Sequence, residues 1–302
     1  MPTVRIGVDL GGTKIEAIAL DDTGQSLTRQ RVATPQGDYA STLRAVVDLV
    51  TGIERELGVQ GSVGVGSPGA LSPATGVIKN ANSTCLNGQP LDRDLAGALG
   101  RTVRVANDAD CFALSEGTDG AAAGVPTVFG VILGTGVGGG IVVNGRLLSG
   151  PNAIAGEWGH NPLPWPHTDE LPGRPCYCGK AGCIETWLSG PGLAADHLAM
   201  TGCALTAHDI AQQALQGDVP CAMTLQRYEE RLARALAGVI NILDPQVIVL
   251  GGGLSNISGL YERVPRIWGR HVFSDQVQTR LVPALHGDSS GVRGAAWLGN
   301  YY

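Results

Sequence analysis

The sequence predicts an α/β protein of two lobes, each a mixed sheet with helices on its faces. Two observations carry this. Residues 6–20 and 128–143 both read strand, glycine-rich turn, strand, about half a chain apart, which marks a duplicated plan. Residues 247–250 are an unbroken apolar strand running into Gly251, Gly252 and Gly253, and helically spaced apolar residues precede it. The expected lobes are residues 1–117, completed by a closing helix at 291–302, and residues 118–290.

The first hairpin runs Val8, Asp9, Leu10, then Gly11, Gly12, Thr13 and Lys14, then Ile15, Ala17, Ile18 and Leu20. Walker and dinucleotide loops pass from strand into helix, whereas these glycines lie between two strands. Gly11 and Gly12 let backbone N–H groups face a phosphate, and the Thr13 hydroxyl adds a donor. Asp9, at the strand end, is positioned to hold Mg2+ through water. A plain hairpin with an exposed Asp fits this element equally well, and the second copy favours the phosphate reading. It runs Val131, Ile132, Leu133, then Gly134, Thr135, Gly136, Val137 and Gly138, then Ile141, Val142 and Val143. Two such loops around one nucleotide are the layout of the actin-like (ribonuclease H-like) ATPase fold. Gly252 and Gly253 would then let adenosine lie against bare backbone.

Between the copies, Leu43, Val46, Val47, Val50, Ile53 and Leu57 have helical spacing and belong to the core. A short strand at 63–65 leads to Ser67, Pro68 and Gly69, and a polar loop carries Asn80, Asn82 and Asn87, residues that also make turns. The strand at 103–106 delivers Asn107, Asp108 and Asp110 to its carboxyl end, where open α/β sheets bind ligands. Asp108 fits two roles: a cap for the following helix, or a general base that takes the proton of an alcohol attacking the terminal phosphate of ATP.

Residues 157–185 hold Glu157, His160, Cys176, Cys178, Cys183 and Glu185. One His and three Cys match a tetrahedral, structural Zn2+ site with no open position for a reactive water. Pro162, Pro164, Pro166, Pro172 and Pro175 make a loop that needs such a clamp, and Gly179 and Gly182 give the Cys run its tight knuckle. Ordinary thiols are the alternative. Glu157 and Glu185 are either solvated charges or hydrogen-bonding partners of a polar substrate.

Composition narrows the function classes. The chain has 302 residues, 43% hydrophobic and 16% charged, which excludes a disordered protein. Its 45 glycines lack a Gly-X-Y period. A net charge of −6 argues against nucleic acid as a partner, and no apolar run reaches the length of a membrane span. Seven Cys form no paired framework, and the alternation from Val4 to Leu10 reads as a strand rather than a signal peptide, so a cytoplasmic protein is expected. Residues 225–243 form an amphipathic helix ending before Asp244 and Pro245, and residues 291–297 a closing helix.

The runs Asp9-Leu-Gly-Gly-Thr-Lys14, Asn107-Asp108-Ala109, Gly134-Thr-Gly-Val-Gly138, Glu157-Trp-Gly-His160 and Cys176-Tyr-Cys-Gly-Lys-Ala-Gly-Cys-Ile-Glu185 resemble those of the ROK family of sugar kinases and repressors. The runs at 79–83, 160–165 and 286–290 resemble its fructokinase branch most closely. The resemblance implies that Asp108 is the catalytic base and that Asn107, Glu157, His160 and Glu185, with Gly69 and Asn82, bind a hexose. His160 would serve zinc with one ring nitrogen and a sugar hydroxyl with the other. It implies ATP as donor and a homodimer, with fructose as first acceptor and mannose, glucose or N-acetylglucosamine as others. Repressors of the family carry a helix-turn-helix domain ahead of the first strand; only three residues precede Val4, so a kinase is expected.

Overall fold

The computed structural model describes residues 4–300. They divide into two compact units: the described residues of Met1–Gly124, Gly140–Ala155 and Leu285–Tyr302, and those of Val125–Gly139 and Gly156–Ala284.

The first unit is built on strands β1 (Arg5–Leu10), β2 (Lys14–Leu20), β3 (Ser26–Ala33) and β4 (Ser62–Ser67), followed by the small hairpin β5 (Ala70–Leu71) and β6 (Ile78–Lys79), and then β7 (Val103–Asn107). The main sheet has the order β3-β2-β1-β4-β7. Strand β1 pairs antiparallel with β2 and parallel with β4, which pairs parallel with β7. Helix α1 (Tyr39–Leu57) is capped by the Asp38 carboxylate and buries Val46, Leu49, Val50 and Ile53, the 3.6-residue stripe its sequence carries. Helix α2 (Leu91–Leu99) packs beside it, and α3 (Asp108–Thr118) starts where β7 ends.

The second sheet repeats the plan. Strands β8 (Thr127–Leu133), β9 (Val137–Val143), β10 (Arg146–Leu147), β11 (Val247–Gly251) and β12 (Arg280–Pro283) take the order β10-β9-β8-β11-β12. Strand β11 pairs parallel with both β8 and β12. The division between the units falls inside β9. Helices α4 (Glu185–Leu188), α5 (Gly190–Thr201), α6 (Ala207–Leu215), α7 (Val219–Leu243) and α8 (Leu260–Trp268) belong to the second unit. Helix α7 starts earlier than its apolar spacing predicts, because Asp218 caps it and Pro220 occupies its first turn.

The chain then returns to the first unit with α9 (Ser290–Trp297). This helix lies directly on β1 and β4, an approach that requires glycine on both sides of the contact. A β-carbon on Gly7 would overlap the Val292 carbonyl, one on Gly64 the Ala295 carbonyl, and one on Gly294 the Cys111 carbonyl of α3. The buried Glu116 carboxylate accepts from the Leu285 and His286 amides and the Ser290 hydroxyl, fixing the entry to α9. Among the described residues no helix is long and apolar enough to cross a membrane.

Gly294→Ala should therefore lower the unfolding free energy by about 2–4 kcal/mol in denaturant titrations, through overpacking against backbone that cannot rotate away. Gly97→Ala in α2, where an added methyl meets nothing within 4 Å, should instead be neutral or stabilise by about 1 kcal/mol.

Candidate active site and metal cluster

In the first unit, the β1–β2 turn holds Gly11, Gly12 and Thr13 in an exposed hairpin. Thr34 Oγ1 donates to the Gly11 carbonyl at 2.7 Å and the Gln36 amide donates to the Gly12 carbonyl, so the loop is held from behind by residues following β3.

Asp9 is the penultimate residue of β1, just ahead of this loop. Burial, and then the charges of Asp108 and Glu16, push its carboxyl up to about 6, with Lys14 opposing them. Glu16 itself is buried, which acts against its charge, yet Arg29 and Arg31 on β3 hold it below the usual carboxylate range. Lys14 adds a 3.6 Å contact to the same carboxylate. An electronegative corner with Asp9 near neutrality is a donor set that suits a hard divalent cation.

Asp108 is the first residue of α3, exposed at the sheet's carboxyl edge, and its Oδ1 accepts from the Ala109 amide at 2.8 Å. The capping role falls mainly to its neighbour: Asn107 is the N-cap, accepting from the Ala109 amide at 2.9 Å. Asn107 Nδ2 also donates to the Gly69 carbonyl at 3.0 Å. The Asn107 carboxamide is thus spent partly on backbone, and it ties the 67–70 turn to the start of α3. Gly69 sits at φ +72 with the 79–81 backbone against it. Asn82 is exposed, its Oδ1 accepting from Ser83. Asn87 pairs both ends of its amide with Ala81, and Asn80 has φ +59, so these two serve the turn.

In the second unit, the opening of β9 organises the site. Trp158 is buried, edge-on to Phe129, and its Nε1 donates to the Gly138 carbonyl at 3.0 Å. Gly159 packs directly on the Val137 carbonyl. These two contacts dock the Trp158–His160 turn, which presents Glu157 on the surface and His160 to the cysteines. Glu185, at the head of α4, reaches the same strand: its Oε2 accepts from the Val137 amide at 2.9 Å. The same oxygen lies 2.7 Å from where a β-carbon on Gly136 would be, so a side chain at this loop position would push the Glu185 carboxylate aside.

His160, Cys176, Cys178 and Cys183 bring their ligand atoms within 4.8 Å of one another. The Cys178 and Cys183 sulfurs are 3.6 Å apart, and Cys176 Sγ is 3.6 Å from His160 Nδ1. Tetrahedral zinc bonds of about 2.3 Å to sulfur and about 2.0–2.1 Å to nitrogen demand S–S edges of about 3.8 Å and N–S edges of about 3.6 Å. The cluster fits the ion. His160 Nε2, read from the sequence as facing a sugar hydroxyl, is 2.9 Å from Tyr177 Oη, with the two rings edge-to-face. Tyr177 is an exposed side chain that sequence reasoning did not single out.

Sequence reasoning also missed the frame of this loop. Arg174 donates to the Thr186 and Gly192 carbonyls and pairs with Asp196. Arg231 bridges Glu170 and Asp196 at 2.7 Å each, and Arg234 reaches Glu170 and the Trp165 carbonyl. Burial works against the Glu170 charge, but the two arginines hold its carboxyl down to about 2. The guanidinium groups of Arg174 and Arg231 both lie over the Trp187 ring, 4.2 and 4.6 Å from its centre.

Within this unit a cavity of about 1340 Å³ is lined by Gly134, Thr135 and Gly253 and by α6, α7 and α8. Gly252 backs onto Leu133 at the end of β8. The second glycine loop and the Gly253 turn thus open into one space, roomy enough for a nucleotide.

The ROK family model matches residues 5–301. An N-acetyl-D-glucosamine kinase of Yersinia pseudotuberculosis is 42% identical over 296 residues, covering 97% of each chain. The crystal structure of a ROK hexokinase from Thermus thermophilus matches with a TM-score of 0.86 at 32% identity, covering 97% of each chain. A ROK family glucokinase from Streptomyces griseus, crystallised with glucose and AMPPNP, matches at 0.76 and 28% identity over 98% of each. With its actin-like α/β architecture and these motifs along nearly its whole length, the chain belongs to the ROK family.

Proposed function

We propose that the protein is an ATP-dependent hexose kinase that phosphorylates the 6-hydroxyl of N-acetyl-D-glucosamine, working as a homodimer. The observation that carries the acceptor is the 42% identity, across 97% of both chains, to an enzyme named for that sugar. Fructose, expected from three short runs, is displaced as first choice. Those runs have structural occupations. Lys79 donates to the Asn152 carbonyl, His286 Nε2 bonds the Asp119 carbonyl, and Trp165 stacks on His271.

In this reading Asp108 accepts the proton of the 6-hydroxyl as that oxygen attacks the γ-phosphorus. The bond to the β–γ bridging oxygen breaks, and ADP leaves with its electron pair. Asn107 steadies the base, and Glu157, Glu185 and His160 receive sugar hydroxyls, as do Gly69 and Asn82. Backbone amides of Gly11, Gly12, Gly134, Gly136 and Gly138, with Thr13, Thr135 and Lys14, meet the phosphates, while Gly252 and Gly253 border the adenosine. Asp9 would hold Mg2+, which supplies charge neutralisation on the phosphates. His160, Cys176, Cys178 and Cys183 would hold a structural Zn2+ that shapes the loop ahead of Glu185.

A coupled assay across N-acetyl-D-glucosamine, glucose, mannose and fructose should rank N-acetyl-D-glucosamine first in kcat/KM. Asp108→Asn should lower kcat on it about 10²–10⁴-fold with sugar affinity nearly unchanged. Fructose in first place would restore the fructokinase branch, and no turnover on any of the four would remove the kinase reading.

Elemental analysis of protein purified without chelator should find about one zinc per chain. A metal-free protein of full activity would reduce the cluster to ordinary thiols.

Asp9 carries a stability cost. Its folded carboxyl binds a proton more tightly than its ordinary value of 3.8 allows, so the ionised form destabilises the ligand-free protein. The penalty is complete above pH of about 6 and fades as the pH falls toward the ordinary value. Asp9→Asn should abolish turnover yet raise the unfolding free energy at pH 7.5 by about 1–2 kcal/mol, with the gain shrinking toward pH of about 4. An Asp9→Asn protein less stable than the parent at both pH values would contradict this.

A further inference from the structure

A nucleotide base needs a flat partner, and the cavity of the second unit has no Phe, Tyr or Trp among its lining residues. Its flat groups are His208, Arg263 and Arg266. His208 is exposed near the start of α6, and Arg266 is tied to Glu262 one turn away with 71% of its side chain in solvent. Neither is held in one orientation by buried partners.

Arg263 is held. Its Nε donates to Glu229 Oε2 at 2.7 Å and its Nη2 to Glu229 Oε1 at 2.5 Å, two parallel bonds that fix the guanidinium plane. The Glu229 side chain, on α7, is only 3% exposed. Gly259, just ahead of α8, lies against the guanidinium, and a β-carbon there would overlap it. Backed by Gly259 and with one edge saturated by Glu229, Arg263 still leaves 51% of its side chain accessible.

We propose that Arg263 is the stacking platform for the nucleotide base, with Glu229 as its positioning residue and Gly259 as the clearance behind it. The inference rests on ATP being the donor. A guanidinium face offers cation–π and planar contact to adenine. Because Glu229 neutralises it, the platform favours the uncharged base over the triphosphate, and the charged end of the nucleotide is left to the glycine loops.

Steady-state kinetics of the whole protein with its best hexose test this. Arg263→Gln should raise KM for ATP about 10-fold, the loss expected for one base stack, with kcat changed less than about two-fold. The inhibition constant of inorganic tripolyphosphate, which has no base, should stay within about two-fold. Gly259→Ala, at a helical φ of −61 that any residue adopts, keeps both charges while displacing the guanidinium, and should give the same split. An unchanged KM for ATP, or equal weakening of ATP and tripolyphosphate in both variants, overturns the platform and leaves the kinase reading intact. A wild-type protein that transfers no phosphate from ATP to any hexose overturns both.

Discussion

The first turn of β9 is the constraint on which the second unit's chemistry depends. Three backbone groups on two successive residues there are each claimed by a different part of the site. The Val137 amide is taken by Glu185, the Val137 carbonyl receives Gly159, and the Gly138 carbonyl receives the Trp158 indole. A strand end that leads out of a glycine loop therefore also fixes the Glu157–His160 turn and the head of α4. Any shift of this strand by one residue would reverse which groups face the loop and which face the core. Gly136 leaves room for the Glu185 carboxylate in this arrangement.

The proline-rich segment between His160 and Cys176 has two supports of different kinds. One is the Cys/His cluster, which closes its two ends. The other is the largely buried network of Glu170, Asp196, Arg174, Arg231 and Arg234, with two of the guanidinium groups over the Trp187 ring. Buried charges are costly unless every partner is present, and here each carboxylate is met by at least two arginines. Such a network specifies one loop conformation more than it adds stability. The cluster is small and local, whereas the network reaches from the loop to α5 and α7.

Much of this was legible in the sequence, and the gaps have physical causes. Periodicity disclosed α1 and the hairpin strands because one face of each is apolar. Strand β3 escaped: it is an edge strand with mostly exposed residues, so it lacks the alternation a half-buried strand shows. Helix α8 escaped because Pro265 lies inside it, and α5 because it begins Gly-Pro-Gly. The Cys/His cluster was readable because residue type and spacing are local. The roles of Tyr177, Glu229 and Arg263 were not, since each depends on a partner 17 to 34 residues away. Short branch-level runs are a weak guide to the sugar for a related reason: a run can serve packing, as His286 and Lys79 do through Asp119 and Asn152, and carry no information about the acceptor.

The acidic corner of the first unit shows how the chain distributes charge. Glu16 is fully compensated by Arg29 and Arg31, the two cations that the otherwise unremarked edge strand β3 supplies. Asp9, directly opposite Glu16 in the register of the same hairpin, has Lys14 opposing the fields of Asp108 and Glu16. Had the chain needed only stability, an arginine opposite Asp9 would relieve it. The imbalance is instead confined to the strand end beside the glycine loop. An uncompensated carboxylate there raises the affinity for a cation that arrives with a polyphosphate, and an arginine in the same place would compete with that cation. The cost falls on the ligand-free protein, and a cation bound there would remove it.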